Sequence, residues 1–157
     1  MLQAFVFERV AVLVFPWSEP VDPPERGTRV EVRLVADEPH RGSYAAAQRF
    51  VIDDPVFRAD LFDQTTHPAG NLRSAHFHSH FDGVEPTDRL WPDEIKTDPT
   101  GWLAGELCDL AHVLARASVD RLDSETVERD AAGVREAIPA IIAAVEATWD
   151  SVRSAPV

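Results

Sequence analysis

Hydrophobic and polar positions along this chain change period once, near Gly83: before it they alternate in twos, after it they recur in threes and fours. Phe5-Val6-Phe7 and the run Val10 to Phe15 are rich in β-branched and aromatic residues, so both read as strands, with Pro16 stopping or edging the second. After the proline-rich loop from Ser18 to Gly27, Thr28 to Val35 alternates polar with apolar residues, as a strand with one solvated face does. Asp37 to Ser43 supplies a turn. Ala45 to Asp53 fits a helical turn at its start and a strand through Phe50-Val51-Ile52, and the strand is preferred. Asp53-Asp54-Pro55 then separates it from a strand over Val56 to Asp63. The loop Gln64 to Asn71, with Pro68 and Gly70, returns the chain into a strand from Leu72 to Phe81. These last two form an antiparallel hairpin in which Arg58 and Asp60 share a face, in a register the sequence does not fix.

Beyond Gly83 the pattern becomes helical. Residues 84–97 form an acidic loop, and Asp98-Pro99 is a helix start with proline at the first helical position. Leu103, Leu107, Leu110 and Leu114 make one buried stripe. Ser124 caps a further helix whose stripe runs through Val127, Ala131, Val134, Ile138, Ile141, Val145 and Val152; Pro139 either kinks it or divides it. The expected fold is α+β: an antiparallel sheet of about five strands, followed by two or three C-terminal helices packed on one sheet face. A single domain over 1–157 is expected, mostly β over 1–83 and helical over 98–153.

Composition narrows the function classes. A net charge of −12 repels phosphate backbones, which disfavours extensive nucleic-acid binding but leaves room for a small phosphate-bearing ligand. Cys108 is the only cysteine, so there is no intrachain disulfide; its helical setting points to a small core residue. The apolar N-terminus is broken by Glu8 and Arg9, and no stretch reaches the ~20 apolar residues of a membrane helix. The expected setting is soluble and cytoplasmic.

The chemistry lies in Ala75-His76-Phe77-His78-Ser79-His80-Phe81-Asp82. On a strand, alternate residues share a face, so His76, His78, His80 and Asp82 stand together while Phe77 and Phe81 turn the other way. The outer histidines lie about 13 Å apart along such a strand, too far for all three to hold one ion. A metal site therefore takes His76 with His78, or His78 with His80, and a third ligand from Asp60, Asp63, His67, Asp82 or Glu85. Two histidines and a carboxylate suit zinc hydrolysis or non-haem iron chemistry, with zinc expected and Asp60 or Glu85 available as base. The plainer alternative is a polar cluster of histidines satisfied by carboxylates such as Asp60.

Several family resemblances attach to these residues. His76 to Asp82 resembles the signature of the histidine-triad nucleotide hydrolases and transferases, which implies His78 as a nucleophile towards phosphorus. That family has a long helix before its triad, whereas strands come first here. Gly70, His76-Phe77-His78 and Asp82 are similar to the first cupin metal motif, with no second motif downstream. His78-Ser79-His80 resembles the paired histidines of zinc-dependent deubiquitinase-type peptidases, with Asp88 and Trp91 where that family has serine and aspartate. Over residues 28–115, the Arg58 and Asp60 strand, the glycine loop, the His-x-His pair, the segment Asp82 to Pro86 and the following helix together resemble the TumE family of small bacterial toxin–antitoxin proteins. Ala59 stands where that family has an aromatic residue. The resemblance implies a growth toxin or its relative.

Two functions follow as expectations. The first is a small intracellular protein whose His78-centred strand binds a divalent metal and a small substrate, with hydrolase activity and His78, Asp60 and Glu85 at the chemistry. The second is a non-enzymatic protein that dimerises, or binds a partner, through its C-terminal helices.

Overall fold

The computed structural model of the protein describes residues 1–154. Five strands lie in sequence order in one antiparallel sheet: β1 (Gln3–Val6), β2 (Val10–Glu19), β3 (Glu25–Asp37), β4 (Phe50–Gln64) and β5 (His76–His78). A two-stranded hairpin, β6 (Phe81–Asp82) with β7 (Glu85–Pro86), follows. The helices then come in succession: α1 (Glu94–Thr97), α2 (Pro99–Cys108), α3 (Leu110–Arg116) and α4 (Ser124–Ser154). The α+β class and its order, sheet first and helices last, are as the sequence predicts. Among the described residues no helix is long and apolar enough to cross a membrane.

Alternation on the central strands sorts side chains between two faces. Val10, Val12 and Val14 of β2, Val30 and Val32 of β3, Phe57, Ala59 and Leu61 of β4, and Phe77 of β5 join the helices in one core. The helices contribute Leu103, Leu107, Leu110, Val134, Ile141 and Val145. Each fully buried aliphatic side chain of this kind contributes about 1.5–3 kcal/mol. Trp102 closes the core near β5, 6.2 Å from Phe57 and 5.2 Å from Phe77 between ring centroids. Trp149 is buried, and its indole N–H donates to the Leu61 carbonyl at 3.0 Å.

α4 is one helix of 31 residues that runs through Pro139, so the continuous stripe outweighs the lost hydrogen bond. Its first half docks on the β1–β2 turn. The buried Asp130 carboxylate accepts the backbone N–H of Glu8 at 3.0 Å and of Arg9 at 2.8 Å. Phe7 packs over Gly133, where a Cβ would lie 2.8 Å from the ring.

Several local expectations change: β2 runs on through Pro16 to Glu19 and β3 starts at Glu25, so the expected loop from Ser18 to Gly27 is shorter, and β7 and α1 lie within the segment 84–97 expected as a loop. Asp53-Asp54-Pro55 does not end a strand: β4 runs unbroken through it, with irregularities against β3 between Val32 and Val35 absorbing the proline. The irregularity puts consecutive Val56 and Phe57 both into the core and re-phases the strand beyond. The histidine strand is three residues long, not ten. Asp123 rather than Ser124 caps α4, its carboxylate accepting from the Thr126 N–H at 2.9 Å. Cys108 is exposed, because it falls off the Leu103, Leu107 and Leu110 stripe.

Candidate metal centre

The face of the sheet turned away from the core, expected from the alternation of Thr28 to Val35 to be solvated, carries charged residues that are buried. Across β3, β4 and β5 two rows stand in register: Glu31–Arg58–His78 and Arg29–Asp60–His76. Signs alternate along β3 and β4 and between them, so Arg29, Glu31, Arg58 and Asp60 each have neighbours of opposite charge. All six residues are buried or nearly so, with Asp60 and His78 each 1% exposed. Trp17 lies over the Arg29 guanidinium at 4.0 Å, and Trp91 lies against the His76 ring at 4.7 Å. These two half-exposed indoles flank the cluster and keep bulk water from it.

The register of β5 is set by the loop that precedes it. Asp63, at the end of β4, accepts the backbone N–H groups of Gly70 at 2.7 Å and Leu72 at 2.9 Å. Asn71 accepts from the Gln64 and Arg73 N–H groups and donates back to Gln64 and Pro68. Gly70, at φ +85°, supplies the turn that only glycine adopts freely. Downstream, Asp88 halts the strand. Its carboxylate accepts from the Ser79 N–H and hydroxyl and from the His80 N–H and ring, drawing residues 79 and 80 off the sheet. Leu90 then pairs with Phe77 and closes the outer edge of β5.

At the centre stands Asp60. Its Oδ1 accepts from Arg29 Nε at 2.6 Å, and Arg29 also reaches Glu19 at 3.0 Å. Its Oδ2 lies 3.1 Å from Arg58 Nε, 3.3 Å from His78 Nε2 and 3.4 Å from His76 Nε2. Burial works to raise the Asp60 carboxyl, but the two imidazole edges and the Arg29 guanidinium outweigh it and hold it well below the usual carboxylate range. Burial also lowers Arg58, with Asp60 opposing the shift.

The histidine tautomers follow from their partners. His76 Nδ1 donates to the Ser74 carbonyl at 2.6 Å, and His78 Nδ1 donates to the Asp88 carbonyl. A carbonyl only accepts, so Nδ1 carries a proton on both rings, and both Nε2 atoms turn towards Asp60. His78 Nε2 accepts from Arg58 Nη2 at 3.0 Å. His76 Nε2, Asp60 Oδ2 and Arg58 Nε are buried and have no hydrogen-bond partner among the described residues.

Asp60, His76 and His78 together can hold a metal ion, their ligand atoms lying within 4.8 Å of one another. Ligands about 2.0–2.1 Å from a tetrahedral zinc stand about 3.3 Å apart, close to the separations from Asp60 Oδ2 to the two imidazoles. The Ser74 and Asp88 carbonyls orient the ring nitrogens opposite the ligating ones, as outer partners of metal-bound histidines do.

No family model, curated protein or solved structure matches this chain.

The structure brings together His76, His78 and Asp60 of the residues singled out from sequence, and it separates the others. His80 is exposed and pairs with Asp88 at 3.1 Å, because the strand ends before it. Asp82 and Glu85 face each other in register on the exposed β6–β7 hairpin, and neither joins the cluster. Asp63 is committed to the loop and to Arg153, and His67 is exposed. Of the positions where the peptidase family has serine and aspartate, Asp88 reaches His78 through its backbone carbonyl and His80 through its carboxylate, and Trp91 lies against the His76 ring. Sequence reasoning missed Arg29, Glu31 and Glu19. The one signal for them was the alternation Arg29-x-Glu31, complementary in sign to Arg58-x-Asp60.

Proposed function

We propose that this protein binds one divalent cation, zinc by preference, through Asp60 Oδ2, His76 Nε2 and His78 Nε2, and that the centre serves hydrolysis of a small substrate. The observation that carries the reading is the approach of His76 Nε2 to Asp60 Oδ2 at 3.4 Å, both atoms buried and neither hydrogen-bonded among the described residues. With His76 Nε2 unprotonated each presents a lone pair, and a metal cation between them gives both a partner. Two imidazoles and one carboxylate favour zinc over magnesium or calcium, which prefer all-oxygen shells.

A divalent metal with three protein ligands supplies a bound water whose pKa falls towards neutrality, and polarises an oxygen of the substrate. The chain's own part is to hold and surround. Arg29 fixes Asp60 through its other oxygen, the two carbonyls fix the imidazoles, and the flanking indoles limit water access. Asp60 then acts as a ligand rather than as a general base, and Glu85 takes no part.

A proton on His76 Nε2 is the rival occupant, making the cluster a purely structural ion pair. Elemental analysis of protein purified without chelators separates the two. The expected result is about one zinc per chain. His76→Ala and His78→Ala lose it, and His80→Ala keeps it. Wild-type protein that carries no divalent metal, and takes up none on dialysis against zinc, overturns the proposal.

A further inference from the structure

Arg58 differs from Arg29, Arg33, Arg116 and Arg153 in having no carboxylate of its own. Arg29 has Glu19 besides Asp60, Arg33 has Glu31, Arg116 has Glu106 and Arg153 has Asp63. Arg58 instead reaches Asp60 Oδ2 and His78 Nε2, the two atoms that a bound cation takes for itself. Its Nε already lacks a hydrogen-bond acceptor. At 14% side-chain exposure it is also the most open member of the group, against 1–5% for Asp60, His76, His78 and Arg29, so it stands on the solvent side of the cluster.

We infer that Arg58 is the anion-binding arm of the metal centre: with the cation in place, its guanidinium turns from His78 and Asp60 to a small oxyanion, a phosphate group or carboxylate, that also occupies the open coordination position. This rests on the metal reading above. A cation on Asp60 Oδ2 and His78 Nε2 engages the lone pairs Arg58 now approaches and places a second positive charge beside the guanidinium. An anion bridging the two relieves the repulsion and gives the buried N–H groups acceptors. The fork of the guanidinium matches two oxygens of a phosphate or carboxylate. Glu31, its cross-strand neighbour, is bonded through Oε2 to Arg33 at 2.6 Å.

Cobalt(II) in place of zinc gives a visible spectrum that reports its ligands. The wild-type protein, loaded with one equivalent of cobalt, is titrated with inorganic phosphate and separately with acetate. A saturable change of the cobalt bands with either anion is expected. Arg58→Gln should load cobalt equally but bind the same anion at least tenfold more weakly, and Arg58→Lys, which keeps the charge and loses the fork, should fall between. A loaded wild-type centre indifferent to both anions, or an Arg58→Gln centre that binds them as tightly as wild type, overturns the role of Arg58 and leaves the metal centre standing. A chain that takes up no cobalt overturns both.

Discussion

Metal removal should be readable in the stability of the fold, because the proposed ligands come from two paired strands, Asp60 from β4 and His76 and His78 from β5. A ligand that binds only the folded state stabilises it by RT ln(1 + [L]/Kd), about 2.7 kcal/mol at a free concentration one hundred times Kd. For a chain of this size each kcal/mol moves Tm by about 2–4 °C, so zinc-loaded protein should melt roughly 5–11 °C above chelator-stripped protein. Asp60→Asn is the decisive variant. The carboxamide oxygen can still accept from Arg29 Nε, while the amide group places a donor where Oδ2 now faces His76 Nε2 at 3.4 Å. The ligand is lost and the lone-pair contact becomes a hydrogen bond in one step. The absolute Tm of Asp60→Asn reflects the broken arginine pairs as well, so the informative quantity is the metal-dependent increment, which should vanish. Differential scanning calorimetry at matched free zinc, with His80→Ala as a control that keeps the increment, measures it. A wild-type Tm unmoved by chelator, or an increment in Asp60→Asn equal to that of wild type, would refute the reasoning.

Two further substitutions test the supports. Burial opposes it, but hydrogen bonds from Ser79 and His80 hold the Asp88 carboxyl down at about 2, below its ordinary value of 3.8. A folded-state pKa below the unfolded one means the stabilisation is complete above about pH 4 and disappears as pH falls to about 2; the shift is worth roughly 2 kcal/mol. Asp88→Asn should therefore lie below wild type in urea-denaturation free energy at pH 5 and converge with it near pH 2, and a gap that stays constant over that range contradicts the assignment. Asp130→Ala leaves the Glu8 and Arg9 N–H groups without the acceptor that ties α4 to the β1–β2 turn, and at about 1–3 kcal/mol per unsatisfied group it should cost about 3 kcal/mol in the same assay. A loss below about 0.5 kcal/mol would show that the turn is held by packing alone.

What could be read in the sequence was what local periodicity controls. β-branched and aromatic content identified the strand through Val10 to Phe15, alternation the one through Thr28 to Val35, and the three-and-four spacing of Leu103 to Leu114 a single helical stripe that the structure divides at Asp109 into α2 and α3. Pro55 misled because its local rule, that proline ends a central strand, was overridden by an irregular β3–β4 pairing that only the tertiary register creates. The same limit applies to the site. Asp60 and the alternating histidines were visible as chemistry, but which histidine faces Asp60 depends on the seven-residue separation between Asp63 and Gly70, whose hydrogen bond locks His76 opposite Asp60.

His80 marks where strand periodicity stops predicting. It has the same two-residue spacing from His78 that His78 has from His76, yet it lies in solvent. The cause is Asp88, eight residues on in sequence, whose carboxylate offers the Ser79 and His80 backbone N–H groups acceptors that compete with continuation of the sheet. The same residue's carbonyl fixes the His78 tautomer. Asp88 thus ends the strand and aims the last imidazole on it. A strand longer by two residues would bring His80 onto the charged face but take its neighbours out of reach of Asp88, so the pairing of two histidines with Asp60 depends on excluding the third.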